Sequence, residues 1–172
     1  MLASPTPIID WQSSSWLVRQ YYTVHRRLSY VKEGVIGTGT YVLEKEGRER
    51  FGLFPEVIND DGFIRAQFHA HEMANIANSF VTVNAPRDVW SLIKIITRSR
   101  LGNIEIARKN LTIDKPKHKY GSAILPLLFS RYAISAVIYV ALVSFAKLRA
   151  RKQLAGLETY EWEVDHSSRV QP

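Results

Sequence analysis

The chain has 172 residues, 46% of them apolar and 23% charged, which is a globular composition and enough for one domain with a real core. Twenty-three Lys and Arg against sixteen Asp and Glu leave a formal charge of +7, which favours an anionic partner such as nucleic acid, an acidic bilayer or a sugar diphosphate without choosing among them. With no cysteine, disulfides and thiolate metal sites are excluded, and the first ten residues lack the basic start and apolar run of a secretory signal, so an intracellular chain is expected.

Residues 1–15 are rich in Pro and Ser and end in Ser13, Ser14 and Ser15; Trp16, Leu17, Tyr21, Val24 and Leu28 then recur at helical spacing, predicting an N-capped helix. Gly34, Gly37 and Gly39 break the chain, and Thr40–Leu43 is expected as a short buried strand. Residues 44–54 are charged and helical in propensity, and Pro55 stops them. Asp60 and Asp61 stand where a helix over residues 63–69 begins. Residues 80–84 predict a second strand closed by Pro86, ahead of an Asp88-capped helix with Val89, Leu92, Ile93 and Ile96 on one face, expected to pack on the sheet. Arg98, Arg100, Arg108 and Lys109 follow, and a basic linker over residues 115–119 suggests a boundary near 115. Residues 124–146 are apolar apart from Arg131 and scattered Ser and Tyr, and residues 147–152 turn abruptly basic.

The run EGVIGTGTYVLEKEGRERFGLFPEVINDDGFIR, residues 33–65, resembles a block of bacterial family 2 glycosyltransferases with the GT-A fold. In those enzymes a glycine-flanked strand near the acceptor site precedes a Gly-Phe or Phe-Pro turn, and an acidic pair opens a helix beneath the reacting sugar. The matching parts here are Gly37 to Leu43, Gly52 to Pro55, and Asp60 with Asp61. SSSWLVRQYY upstream, APRDVW and TRSRLGN downstream, and the tail EWEVDHSSR extend the likeness over nearly the whole chain. The resemblance implies an α/β fold: a partial GT-A-like mixed sheet with flanking helices, followed by an apolar C-terminal helix. It implies an acceptor-side portion over residues 1–114, a basic linker and apolar helix over 115–152, and a polar tail over 153–172.

The departures matter as much. Members of the family carry an Asp-x-Asp motif that holds a divalent cation, Mg or Mn, on the donor diphosphate, and no Asp-x-Asp occurs in these residues. The expectation is therefore transfer of a sugar from a nucleotide-sugar to a glycan or lipid-linked acceptor hydroxyl in a complete enzyme that includes an N-terminal half. The isolated chain is expected to bind no metal and to be inactive. The alternative is a non-catalytic membrane-associated scaffold or remnant. A nucleic-acid-binding role rests on charge alone and is not expected.

In an inverting transfer a base takes the proton of the attacking hydroxyl, and the resemblance points to Asp61, with Asp60 opposing its ionisation through like charge and the helix start favouring it. By residue type alone, either acid can equally be a helix cap. Arg98 and Arg100 stand where relatives carry Gln-x-x-Arg-Trp, a motif absent here, and guanidinium groups suit phosphate. A solvated basic helix end is the plain alternative. Arg65 is placed to pair with Asp61 across one turn. Gly37 and Gly39 allow backbone to approach a sugar, or simply open a strand. His69 and His71 with Glu72 have metal-ligand types but no third and fourth partner, so a surface pair is expected. The four tryptophans, Trp11, Trp16, Trp90 and Trp162, suit either sugar stacking or a core.

As a helix, residues 124–146 span roughly 34 Å, against a bilayer core of roughly 30 Å. Pro126 and Arg131 interrupt the first third. The basic residues 147–152 favour an anionic membrane surface, predicting a chain at the cytoplasmic side of the cell membrane, crossing it at 124–146 or lying on it. The alternative is a packing helix with a solvated basic end.

Overall fold

A computed structural model describes residues 1–28, 39–113 and 120–159. The expected Gly37, the linker 115–119 and the tail motif at 161–169 lie outside them. The architecture is mixed α/β, a small three-stranded mixed sheet with flanking helices and an apolar C-terminal helix.

The chain opens not with a Pro/Ser-rich lead but with a strand, β1 (Leu2–Asp10). Pro5 and Pro7 disguise it, since proline cannot donate to a ladder. Among the described residues β2 (Val42–Leu43) pairs antiparallel with Leu2 and Ala3 and no strand pairs with that edge of β1 at the prolines, which is where a strand tolerates them. On the other side β1 runs parallel to β3 (Met73–Asn84), from Leu2↔Met73 to Asp10↔Asn84. The register jumps between Ser4↔Asn75 and Thr6↔Phe80, where β3 makes a detour through Asn78 at φ 57°. β3 thus starts well before the residue 80 expected from its apolar alternation; the polar detour hid its first half.

Helix α1 (Trp16–His25) begins after Ser15 as its apolar spacing predicts. Of the residues 44–54, only α2 (Lys45–Arg48) is helical within the charged stretch. Helix α3 (Asp60–Arg65) is shorter and earlier than the expected 63–69, and a 3-10 turn (Ala70–Glu72) leads into β3. Helix α4 (Val89–Arg108) is capped by Asp88, whose carboxylate accepts from Ser91 N–H at 2.8 Å. It runs much further than its first apolar face suggested, so Arg98 and Arg100 lie inside it and not after it.

The apolar C-terminal stretch is two helices, α5 (Tyr120–Leu128) and α6 (Ala133–Gln153), followed by a 3-10 segment (Leu154–Thr159). Pro126 lies within α5, and the chain turns at Phe129–Tyr132 before α6 starts. α6 continues beyond residue 146 through the basic cluster.

Two apolar cores result. The larger joins α1, α4 and α6 through Val18, Tyr21, Tyr22, Val24, Leu28, Leu92, Ala136 and Tyr139, with Ile9 of β1 packed against it. His25 sits among these tyrosines, stacked on Tyr21 at 5.3 Å, and burial draws its pKa down to about 4, so it is neutral at physiological pH. The smaller core, Leu2, Phe63, Ile64, Phe68 and Ile106, lies under α3 and positions the acidic pair.

Candidate functional site

The sequence Asn59-Asp60-Asp61 offers three residues able to cap a helix, and the structure uses the first. Asn59 Oδ1 accepts from Gly62 N–H at 3.0 Å, so neither aspartate is the cap and both stand in the first turn. Asn59 is itself held: its Nδ2 donates to Asn103 Oδ1 at 3.0 Å, and Gly102 of α4 lies so close that an added Cβ would meet Asn59 Cβ at 2.3 Å. Glu105, buried on the same helix, accepts from Ile58 N–H at 2.8 Å and from Lys109 Nζ at 2.8 Å. The Gly-Asn of TRSRLGN and Glu105 therefore fix the turn that presents the acidic pair.

Within the pair the two acids differ. Asp60 is exposed, and its Oδ1 accepts from Asp61 N–H at 2.9 Å. Asp61 is half-buried. Its Oδ2 accepts from Gly39 N–H at 3.2 Å, while its Oδ1 is buried with no partner among the described residues. Burial first and the Asp60 charge second raise the Asp61 pKa, while the Gly39 N–H and the Arg65 charge pull it down. Gly39 holds φ +72°, a left-handed conformation that glycine adopts without strain, and this turns its N–H onto the carboxylate.

Tyr41, two residues beyond Gly39, borders the same carboxylates: burial, then Asp61, then Asp60, raise its phenol pKa. It was not singled out from sequence, where it reads as one more strand aromatic. Asn59, Gly102 and Glu105 were missed as well. Only Asn59 carried a local signal, as the first cap-competent residue of its run.

Of the expected site residues, the structure brings together Asp61, Asp60 and Gly39. Arg98 and Arg100 stand in the middle of α4, and Arg100 Nε is buried without a hydrogen-bond partner among the described residues. A solvated helix end does not describe Arg100. The histidines expected as a surface pair stack on each other at 5.7 Å, both exposed. Glu72 beside them accepts from Arg50 Nη1 at 2.9 Å and from His69 N–H at 2.9 Å, closing a small capping box. Arg50 holds the Glu72 carboxyl down to about 2. Trp11 stacks on Tyr22 at 5.9 Å beside the larger core, while Trp16 and Trp90 are exposed.

No group of three or more His, Cys, Asp or Glu able to hold a metal ion occurs among the described residues. Asp60 and Asp61 offer two carboxylates, one oxygen of which Gly39 already engages, whereas a hard divalent cation takes about six oxygens. The acidic pair by itself does not fit such an ion. What it can do is hold a proton: a half-buried carboxylate with one oxygen anchored and the other buried without a partner among the described residues keeps its proton more tightly than an exposed one.

No protein-family model, curated protein or solved structure matches this chain.

Proposed function

We propose that this chain is the acceptor-side part of an inverting, nucleotide-sugar-dependent glycosyltransferase of the GT-A kind, with Asp61 as the base. The observation that carries the reading is the Asp61 carboxylate, with Oδ2 fixed by Gly39 N–H at 3.2 Å and Oδ1 buried and unpartnered among the described residues. An acceptor hydroxyl donating to Oδ1 supplies the missing hydrogen bond. As its oxygen attacks the anomeric carbon and the sugar–phosphate bond breaks, the proton passes to Asp61. The raised pKa makes Asp61 a stronger base than an ordinary aspartate, and Asp60 and the buried setting maintain it. Tyr41 borders the place where the acceptor sits.

The same reading places the donor's cradle elsewhere. The chain has no Asp-x-Asp, and the acidic pair by itself does not fit a cation, so Mg or Mn on the diphosphate would be held by residues other than this pair. Arg98 and Arg100 are retained as candidate diphosphate contacts. The charge of +7 and the basic residues 147–152 support a place at the cytoplasmic side of a membrane, where a lipid-linked acceptor is presented. The missing Asp-x-Asp equally fits a non-catalytic scaffold that keeps the acceptor-side fold.

Calorimetric titration with uridine, guanosine and thymidine diphosphate sugars in the presence of Mn²⁺ tests the division of labour. The expected result is no micromolar binding by this chain alone. Micromolar binding of any donor would overturn the assignment to the acceptor side only.

A further inference from the structure

Helix α6 has two faces of different fate. Ser135, Ala136, Tyr139, Ala146 and Ala150 are buried and fall on one side at helical spacing, against α1 and α4; Ser135 Oγ donates to Gln20 Oε1 at 2.6 Å and Tyr139 stacks on Tyr21 at 4.9 Å. The opposite side carries Ile134, Val137, Val140, Ala141, Phe145 and Leu148, all exposed. Ile134 is 68% exposed and Phe145 49%. The helix is long and apolar enough to cross a membrane, yet only 28% of its most apolar stretch is buried in the fold, unlike the core helix of a soluble protein.

The charge at its end says what covers that face. Lys147, Arg151 and Lys152 are exposed where the apolar stripe runs out, and Arg149 Cζ lies 5.2 Å over the ring of exposed Trp90. An apolar strip followed by cations, with a tryptophan beside them, matches the acyl boundary and anionic headgroups of a leaflet. A crossing helix would have to leave α1 and α4, break the Ser135–Gln20 hydrogen bond and expose the tyrosine cluster. We infer that α6 does not cross the bilayer: it stays docked on the body and lies along an anionic membrane surface, its Ile134–Phe145 face in the acyl boundary and its basic end on the headgroups. This specifies the membrane location given above and does not depend on Asp61 as base.

The test uses the full chain and vesicles of phosphatidylcholine with or without an equal share of phosphatidylglycerol. Because the chain has no cysteine, Arg131→Cys and Lys152→Cys can be labelled singly with a membrane-impermeant maleimide added outside sealed vesicles. The expected result is binding about tenfold or more tighter to the anionic vesicles, with both ends labelled. Val137→Ser with Phe145→Ser should weaken binding about tenfold while leaving the melting temperature in solution unchanged, since both side chains are largely exposed. Labelling of one end alone means that α6 crosses and overturns the inference. So does vesicle binding that the double variant does not weaken, or a double variant that abolishes self-association while the parent binds no vesicle. Asp61→Asn should bind vesicles as the parent does, so failure of the site assignment and failure of this one are separable.

Discussion

At the scale of single residues, Asp61 is the place where chemistry and stability oppose each other. Its raised pKa means that the folded chain holds the Asp61 proton more tightly than the unfolded chain does. Stability then falls as pH rises from the unfolded value, about 3.9, through the higher folded one, and ionised Asp61 is a liability at neutrality. Asp61→Asn keeps an oxygen for Gly39 N–H and removes the charge that burial and Asp60 oppose. Thermal melts should show the variant more stable than the parent at about pH 7, with the difference gone at about pH 3. A variant less stable at neutrality would show that the carboxylate is held by partners stronger than Gly39 and Arg65.

At the scale of elements, α3 and α4 are joined at one close contact. Replacing Gly102 by Ala inside an exposed helix would ordinarily gain about 1 kcal/mol from propensity. Here the new Cβ would lie 2.3 Å from Asn59 Cβ and 2.8 Å from its backbone N, and a backbone atom cannot step aside as a side-chain end can. Overpacking of this kind costs about 1–3 kcal/mol and should outweigh the gain. Urea unfolding of Gly102→Ala is therefore expected to show a net loss; a gain would contradict the close approach that fixes the Asn59 cap.

The same elements show what the sequence could and could not declare. α1 and the start of α4 were legible because Trp16–Leu28 and Val89–Ile96 keep an unbroken 3.6-residue period; Asp88 caps α4, whereas Ser15 makes no side-chain cap hydrogen bond to α1. β1 was not, because Pro5 and Pro7 belong to loops by local chemistry, and among the described residues β2 pairs only with Leu2 and Ala3 ahead of them. The end of α4 was hidden by its own charges: the arginines of TRSRLGN read as a terminus, yet Leu101, Gly102, Glu105 and Ile106 are buried. The acidic pair was legible as a helix start, and its support was not, since Asn103 meets Asn59, and Glu105 meets Ile58, only when α4 lies across the turn.

At the scale of the whole molecule, the two cores take different parts of the small sheet: Leu2 of β1 belongs to the smaller and Ile9 packs against the larger. Ile8 and Phe80 are exposed, on the face that carries the paired Thr6↔Phe80 and Ile8↔Thr82. The apolar face of α6 is a second exposed surface, and the acidic pair stands in the first turn of α3, whose Phe63 and Ile64 enter the smaller core. The described residues thus carry a half-buried carboxylate with one oxygen lacking a partner and exposed apolar surfaces, but no group of three or more His, Cys, Asp or Glu able to hold a metal ion. That combination is coherent for one side of a two-substrate enzyme.

If Asp61 is the base, its Oδ1 receives a saccharide hydroxyl. Binding of the parent chain and of Asp61→Asn to an array of glycans and lipid-linked saccharides tests it most directly. A hydrogen bond to a charged carboxylate is worth about 1.5–3 kcal/mol. The expected result is that the parent binds one class of saccharide and that Asp61→Asn weakens binding roughly ten- to a hundredfold. No saccharide bound by the parent, or equal binding by both, would contradict it.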